Sequence, residues 1–382
     1  MKLLAIETSC DDTGIAIIEI TSENITILGN KVNTQTIHEG YGGVFPAMAK
    51  REHIANIASV YEDACREAGI DKDGLKVDAI AVTVGPGLEP SLWVGITFAL
   101  ELSKKFNIPL LPVNHMEGHL LSPLLPEYKI GEEIPLREMP ENAISLLVSG
   151  GHTQLIEVKN YNEYKIIGTT VDDAVGEAFD KVGRMMDLPY PSGPAISKLA
   201  EAERRYIDLG SLAQRDGASR ENFHQKIIRA DENNIPSEAL VKPIFPRPML
   251  HSKDFNFSFS GLKTAVLYHI RDNPIKNEED KMAIACEFEN AAIEVIIKKT
   301  VKAINETGST HLLLGGGVAA NTHLQRELAR ASEKHGFIVY YPVRQITGDN
   351  ALMIGMAGYF NSLHTPATFN YDIFKANGNL KL

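Results

Sequence analysis

Two segments that lie far apart in the chain share one sequence plan, and this repetition limits the folds that the chain can adopt. Residues 2–20 (KLLAIETSCDDTGIAIIEI) and residues 143–158 (AISLLVSGGHTQLIEV) each contain an apolar run, a small polar turn and a second apolar run. Each segment predicts a β-hairpin whose tip offers hydrogen-bond donors. The pair indicates two duplicated α/β lobes that face one cleft, although two unrelated hairpins would give the same pattern.

Predicted strands and helices alternate along most of the chain. The run DAIAVTV at 78–84 predicts a strand, and Gly85-Pro86-Gly87 ends it before a segment with helical spacing. Later, a strand predicted at 311–314 precedes Gly315-Gly316-Gly317 and a helix over about 319–335. Such alternation is typical of α/β proteins with mixed sheets.

Chain length and the position of the second hairpin predict the limits of the lobes. A chain of 382 residues is long for one small domain and indicates two lobes. We expect an N-terminal lobe over 1–122, completed by a returning helix within 351–382, and a second lobe over 123–350. The stretch 200–256 is charged, contains four prolines and has little regular apolar spacing, so we interpret it as an insertion-like, flexible segment.

Charge and cysteine content exclude several classes of protein. Lys and Arg total 38 against 49 Asp and Glu, and the net charge of −11 excludes a basic coat for nucleic acid over the whole surface. Three cysteines without a C-x-x-C pair predict neither a disulfide framework nor a zinc ribbon. The first residues contain no signal-peptide core, and no apolar run approaches the roughly 18 residues of a membrane helix. We expect a cytoplasmic protein without membrane contact.

A pair of histidines, His115 and His119, follows the strand predicted to end at Val113. On a helix, positions i and i+4 share one face, so the two side chains are close enough to chelate one cation. Asn114 is a suitable N-cap for that helix, and Pro123 would end it soon afterwards. An isolated pair of this kind is more often structural than metal-binding.

The segment His-Met-Glu-Gly-His also calls for a comparison with metalloproteases. In their H-E-x-x-H motif the glutamate comes directly after the first histidine. Here Glu117 is two residues from each histidine, which places it on the opposite helix face. The spacing therefore counts against a protease.

Asp349 is a candidate third ligand. It lies in Thr-Gly-Asp-Asn before a predicted helix over 350–360, where an aspartate is most often a helix N-cap. The alternative is a carboxylate that completes a site of two histidines and one acid, with open positions for substrate.

Glycine-rich turns form a second group of candidates. Ser149-Gly150-Gly151, Gly193 in PSGP and Gly315-Gly316-Gly317 would each allow backbone N–H groups to approach a phosphate. Asn321 follows the last turn at the start of a helix, where it would contact a ligand or lie on the surface. Three such turns favour a nucleotide site, although one alone is usually only a turn.

One face of a helix predicted over about 172–188 contains Asp173, Glu177, Asp180 and Arg184. Such a charged face is usually the solvated side of an amphipathic helix. If it borders the cleft, Asp180 would accept hydrogen bonds from ribose hydroxyls.

Ten segments, taken together, resemble the family of bacterial-type tRNA N6-adenosine threonylcarbamoyltransferases, once described as O-sialoglycoprotein endopeptidases. They follow the family's order over nearly the whole chain. They are LAIETSCDDT (4–13), YGGVFPAMAKREH (41–53), GPGL (85–88), NHMEGH (114–119), LVSGGHTQL (147–155), DDAVGEAFDK (172–181), PSGP (191–194), FSFSGLKTA (257–265), GGGVAAN (315–321) and GDNALMI (348–354).

The resemblance implies a fold and a set of site residues. The fold is that of actin, sugar kinases and heat-shock ATPases (ASKHA), with two duplicated α/β lobes around a nucleotide cleft. By similarity His115, His119 and Asp349 would hold one divalent metal ion, iron or zinc. The implied adenylate contacts are Leu147, Val148, Ser149, Gly150, Gly151, Asp180, Gly193 and Asn321. No general base is identified.

The same resemblance implies a reaction and partners. The reaction moves a threonylcarbamoyl group from threonylcarbamoyl-AMP to N6 of the adenosine beside the tRNA anticodon and releases AMP. The partners would be tRNA, a paralogous lobe partner and a small ATPase, in a homodimeric or heterodimeric assembly. Two other functions remain open at this point: a zinc protease, and a non-catalytic paralogue that only scaffolds a complex.

Overall fold

The computed structural model describes residues 1–215 and 243–382. Within them the strands are β1 (Lys2–Glu7), β2 (Asp12–Ile20), β3 (Asn24–Thr34), β4 (Ala79–Gly85), β5 (Leu110–Asn114), β6 (Glu133–Pro135), β7 (Ala143–Val148), β8 (Thr153–Asn160), β9 (Glu163–Thr169), β10 (His311–Gly315) and β11 (Ile338–Tyr340). The α-helices of the same residues are α1 (Pro46–Glu67), α2 (Glu89–Phe106), α3 (His115–Leu121), α4 (Val175–Met185), α5 (Gly193–Arg215), α6 (Ser260–Asp272), α7 (Glu278–Thr307), α8 (Thr322–His335) and α9 (Ala351–Ser362).

Two sheets repeat one topology. The first has the order β5-β4-β1-β2-β3-β6, and the second has the order β11-β10-β7-β8-β9. In each, an antiparallel hairpin is extended by a third antiparallel strand on one side and by two parallel strands on the other. Apart from the short edge strand β6, the two sheets therefore match strand for strand. The predicted α/β fold with duplicated sheets is confirmed.

Successive side chains of β1 point to opposite faces of the first sheet, and both faces are covered by other elements. Leu4 and Ile6 face a core formed with α1 and α2, whereas Leu3 and Ala5 face a second core formed with α9. All four side chains are fully buried. Because neither face of the strand meets water, the sequence is an almost continuous apolar run rather than an alternating one.

Helix α9 closes the second face of the first sheet. Every residue from Ala351 to Phe360 is buried. Gly355 and Gly358 allow the helix to lie close to the sheet, since an added Cβ would come within 2.8 Å of Ile18 and 2.7 Å of Ala81. The helix after residue 350 thus returns to the first sheet.

The limits of the two lobes stay a prediction. Strand β6 lies within the range predicted for the second lobe, yet it pairs with β3 at the edge of the first sheet. The chain therefore crosses to the second sheet only at β7, after this short pairing.

The stretch 200–256 is only partly irregular where it is described: helix α5 continues to Arg215, whereas 243–256 forms no regular helix or strand, as predicted. Within α5, Arg204 forms an ion pair with Glu289 of α7. Further along, Arg247 contacts Glu287 at 2.5 Å and Glu294 at 2.9 Å. Residues 216–242 lie outside the described part of the chain. In the described helices, no segment is long and apolar enough to cross a membrane.

Candidate metal centre and cleft

Helix α3 begins directly at the end of β5 and places both histidines on one buried face. The Asn114 side chain accepts a hydrogen bond from the Met116 N–H at 2.8 Å, so Asn114 is the N-cap that the sequence predicts. His115 is 8% exposed and His119 is 1% exposed. A short helix with a defined start thus fixes both rings at the edge of the cleft.

The structure brings Asp349 to the two histidines across 230 residues of sequence. Asp349 Oδ1 lies 3.1 Å from His119 Nε2 and 3.4 Å from His115 Nε2. Two atoms that each bind one metal at about 2.1 Å with tetrahedral angles lie roughly 3.4 Å apart. The two nitrogen–oxygen distances are therefore close to the spacing that a shared metal requires, and all three donor atoms lie within 4.8 Å of one another. Two imidazoles with one carboxylate suit iron or zinc.

Opposite charges dominate the electrostatics of this cluster. Burial alone would lower the pKa of His115, but the carboxylates of Asp349 and Glu7 raise it to about 9. Burial acts to raise the pKa of Asp349, but the positive charge of His115 and a hydrogen bond from His119 hold it well below its usual range. The site thus favours an ionised Asp349 beside a cationic His115, and a bound cation would take over the positive charge of that ring.

Glu117 points away from the cluster. Its carboxylate accepts hydrogen bonds from the Tyr164 hydroxyl at 3.1 Å and from the Asn361 side chain at 2.7 Å. Burial raises the pKa of Glu117. This carboxylate connects α3 to β9 and α9, so the structure agrees with the spacing argument against a protease.

The tip of the second hairpin presents glycine backbone at the surface. Gly150 and Gly151 are exposed, and a Cβ at either position would meet no atom within 4 Å. Ser149 closes the turn, because its N–H donates to the His152 carbonyl at 2.8 Å and its hydroxyl accepts from the His152 N–H at 3.1 Å. Leu147 and Val148 are buried strand residues, so only their backbone is available to a ligand.

Two other predicted donor contacts, Asp180 and Gly193, are connected to this tip through helix α4. Helix α4 approaches the tip closely, since a Cβ at Gly176 would come within 2.6 Å of the Ser149 carbonyl. On α4, Asp180 accepts a hydrogen bond from the Ser192 N–H at 2.7 Å, which places it beside Gly193 at the start of α5. Burial raises the pKa of Asp180.

Asn321 is already bonded to protein groups. Its side-chain oxygen accepts from the Leu324 N–H at 2.8 Å and caps α8. Its amide donates to Glu289 at 2.7 Å and to Ser197 at 2.9 Å.

The charged helix face predicted from Asp173 to Arg184 is shorter in the structure. Helix α4 begins at Val175, so Asp173 precedes the helix and is not part of its face.

Several cleft residues were not identified from the sequence. Glu7 and Ser9 contact His115 from the end of the first hairpin. His152 is near the cluster, and burial together with the positive charges of His115 and His119 lowers its pKa to about 4. The sequence does place Glu7 and Ser9 at the tip of the first predicted hairpin and His152 at the tip of the second, and this position could have identified them as cleft residues.

One contact also crosses between the lobes. The Arg184 guanidinium, on α4, donates to the Gly42 carbonyl in the loop that precedes α1. The second-lobe helix that contains Asp180 thus reaches the first lobe directly.

A family model described as tRNA N6-adenosine threonylcarbamoyltransferase matches residues 26–224 and 224–356. The chain belongs to this family. The predicted family and enzyme class are confirmed by this match, which includes both histidines and Asp349.

Curated relatives of this transferase family extend over the whole chain. The tRNA N6-adenosine threonylcarbamoyltransferase of Thermosipho africanus is 39% identical over 383 residues and covers 100% of both chains. That of Nitrosospira multiformis is 41% identical over 359 residues, which cover 94% of this chain and 90% of the relative. Among solved structures, full-length HypF in its phosphate- and nucleotide-bound form is 14% identical with a TM-score of 0.49, covering 96% of this chain and 47% of HypF.

Proposed function

We propose that this chain transfers the threonylcarbamoyl group of threonylcarbamoyl-AMP to N6 of the adenosine adjacent to the anticodon in tRNA and releases AMP. The observation that carries the proposal is the cluster of His115, His119 and Asp349 beside the exposed glycine tip of the second lobe. His152 belongs to that tip and is close enough for the charges of the cluster to shift its pKa. This proximity of a candidate metal cluster to an accessible glycine turn supports a site for both the metal and the donor.

The chemistry places modest demands on the protein. The adenosine N6 forms a bond to the carbamoyl carbon, the bond from that carbon to the phosphate oxygen breaks, and N6 loses a proton as AMP departs. Because AMP is a good leaving group, the main tasks are to orient donor and acceptor and to stabilise negative charge on the carbamoyl oxygen. We assign no residue as the general base.

Three residues would hold the metal ion that assists this reaction. A divalent iron or zinc ion on His115, His119 and Asp349 would supply Lewis acidity toward the carbamoyl oxygen. The protein's own part is to keep the two imidazoles and the carboxylate at the observed spacing, which the N-cap at Asn114 and the start of α9 support.

The second lobe would bind the adenylate part of the donor. The exposed backbone at Gly150 and Gly151 has no side chain that would keep a phosphate away. Asp180 would accept hydrogen bonds from the ribose, and Gly193 lies beside it. Backbone contacts would come from Leu147, Val148 and Ser149. The side chain of Asn321 is already hydrogen-bonded within the protein, so Asn321 would contribute by fixing the start of α8 near the donor.

The acidic chain needs local basic groups or partners to bind tRNA. Lys50 and Arg51 are exposed on α1 and are suitable for phosphate contact. Arg204 is not, because it forms an ion pair with the buried Glu289 at 2.7 Å. We therefore propose that a paralogous lobe partner and a small ATPase contribute to tRNA binding in a homodimeric or heterodimeric assembly in the cytoplasm.

The test is a reconstitution with purified chain, threonylcarbamoyl-AMP, unmodified tRNA and either Fe²⁺ or Zn²⁺, followed by mass spectrometry of the nucleosides. We expect threonylcarbamoyladenosine to form and to be lost in His119→Ala. The exposed His335 supplies a matched control, since His335→Ala removes a histidine at the end of α8 that is not part of the cluster. Reactions with and without the accessory proteins determine whether the chain is self-sufficient.

Two results would contradict the proposal. Undiminished product in His119→Ala would remove the metal cluster from the reaction. Absence of product in every mixture, with donor binding intact, would favour the non-catalytic scaffold.

A further inference from the structure

One buried carboxylate of the cleft has no part in the proposed reaction. Glu7 is the last residue of β1, and its side chain is fully buried. An ionised side chain in such a place is costly unless hydrogen bonds and opposite charge compensate for the lost water. Its partners therefore indicate why a glutamate occupies this position.

The contacts of Glu7 lead to a single histidine. Its Oε1 accepts the Ser9 N–H at 2.5 Å, and its Oε2 accepts the Thr83 hydroxyl at 2.5 Å. The same Oε2 lies 3.2 Å from His115 Nδ1. The Ser9 N–H, the Thr83 hydroxyl and the His115 ring thus converge on one fully buried carboxylate, and such an arrangement compensates an ionised side chain for its lost water.

We infer that Glu7 is a positioning residue, which fixes His115 with Nδ1–H toward the Glu7 carboxylate and with the Nε2 lone pair toward Asp349. The geometry supports this orientation, because Nδ1 and Nε2 face two different carboxylates, at 3.2 Å and 3.4 Å. A cation bound between Nε2 and Asp349 requires the Nε2 lone pair, so the single proton of a neutral His115 then lies on Nδ1, where the Glu7 carboxylate accepts it.

The second histidine lacks this support. His119 Nδ1 is buried and has no hydrogen-bond partner among the described residues. Its backbone is held instead, since its carbonyl accepts the Ser122 hydroxyl at 2.9 Å. The two candidate ligands therefore differ in what restrains their rings. Among the described residues, a carboxylate lies next to Nδ1 of His115 but not next to Nδ1 of His119. In metal sites such a partner fixes the ring and raises the basicity of the ligand.

Ser9 supplies an internal control for this inference. Its hydroxyl lies 3.1 Å from the same Nδ1 of His115 and is thus a second acceptor for that proton. A hydrogen bond to an ionised carboxylate is roughly twice as strong as one between neutral groups. If Glu7 orients the ring, loss of the Ser9 hydroxyl has a small effect and loss of the carboxylate has a large one.

The inference rests on the proposed metal site, and its test measures metal binding directly. The full chain and its variants are titrated with Zn²⁺ against a chelator of known affinity, and each fold is checked by circular dichroism. We expect Glu7→Gln to weaken zinc binding by about 10–100-fold. We expect Ser9→Ala to change it by less than about threefold, and Glu7→Asp to retain more affinity than Glu7→Gln.

Thr83→Val is the second variant in case Glu7→Gln does not fold, since it removes one hydrogen bond to Glu7 and keeps the carboxylate. It should weaken zinc binding by a few-fold. Folded Glu7→Gln with unchanged zinc affinity would overturn the positioning role alone, and so would unchanged affinity in Thr83→Val if Glu7→Gln is unfolded. Absence of zinc binding by the unsubstituted chain would overturn the metal site of the proposed function as well.

Discussion

The two hairpin tips share a topology but not a chemistry. The first tip connects Glu7 to Asp12, and its carboxylates lie in a region of low solvation: burial, followed by the charge of Asp349, raises the pKa of Asp12 to about 7. The second tip contains Ser149, Gly150 and Gly151, and its glycines are exposed with open space around them. One tip supplies carboxyl groups of low solvation, and the other supplies accessible backbone.

This difference shows how a duplicated fold divides one task. Charged side chains are held in place by hydrogen bonds and neighbouring charges, which need burial and rigid packing. A backbone N–H that is to meet an anion needs the opposite, a surface without side chains. We therefore expect changes at the first tip to affect metal binding and changes at the second tip to affect the donor.

The largest expected effect comes from removal of a ligand on the first-lobe side. His119→Ala should abolish tight zinc binding and lower product formation by about 100-fold or more, because two donors bind a cation much more weakly than three. Zinc titration and nucleoside mass spectrometry measure the two effects. Gly151→Ala is the matched comparison and should keep its zinc. Loss of zinc from that variant would show that the tips do not divide the task.

An intermediate effect is expected at the second tip. Gly150→Ala adds a methyl group to open space, so the melting temperature should hardly change while donor affinity falls about tenfold. Gly176→Ala should instead lower the melting temperature, because its Cβ would lie 2.6 Å from the Ser149 carbonyl. Calorimetric titration with a non-reactive donor analogue and thermal melts separate the two variants. Equal donor affinity in Gly150→Ala and the unsubstituted chain would contradict the assignment.

The smallest expected effect concerns the response to pH in the second lobe. Burial acts to raise the pKa of Asp173, but hydrogen bonds from Lys181 and Lys263 at 2.7 and 2.9 Å lower it. A carboxylate with a lowered folded pKa stabilises the fold above its unfolded pKa of about 4, and this stabilisation is lost as the pH falls through the folded value.

Asp173→Asn should therefore reduce the free energy of unfolding by about 1–2 kcal/mol at pH 7, and the difference should shrink below pH of about 4. Denaturant titrations across this pH range measure it. Glu177→Gln is the control, since the Glu177 side chain is 45% exposed and its ion pair with Lys181 should contribute less than about 1 kcal/mol. A constant difference at every pH would exclude the carboxylate charge as the cause.

The hairpins could be predicted because their signals are local. Apolar runs separated by a small polar turn correspond to β1–β2 and β7–β8 with their tips where expected. The pairing of His115 with His119 is local as well. Asp349 is not, and it entered the predicted site through resemblance to a family rather than through spacing.

What was missed depends on contacts between distant elements. Glu7 interrupts the end of an apolar run, and its partners Thr83 and His115 are 76 and 108 residues away. The helical part of 200–215 was missed for the same reason, because ion pairs such as Arg204 with Glu289 on α7 support a helix that has little apolar spacing of its own. Asp180 was placed on a helix face that would contact ligand only if it bordered the cleft, and its bond to the Ser192 N–H required the turn before α5 to be known.

Helix α9 also determines when the site is assembled during biosynthesis. Both histidines leave the ribosome well before Asp349, which follows His119 by 230 residues and directly precedes the helix that covers the first sheet. A nascent chain that stops before Asp349 thus has two of the three candidate ligands and lacks the helix that covers the first sheet. The candidate ligand set is therefore complete only when synthesis has passed Asp349, and α9 must follow before the first sheet is covered.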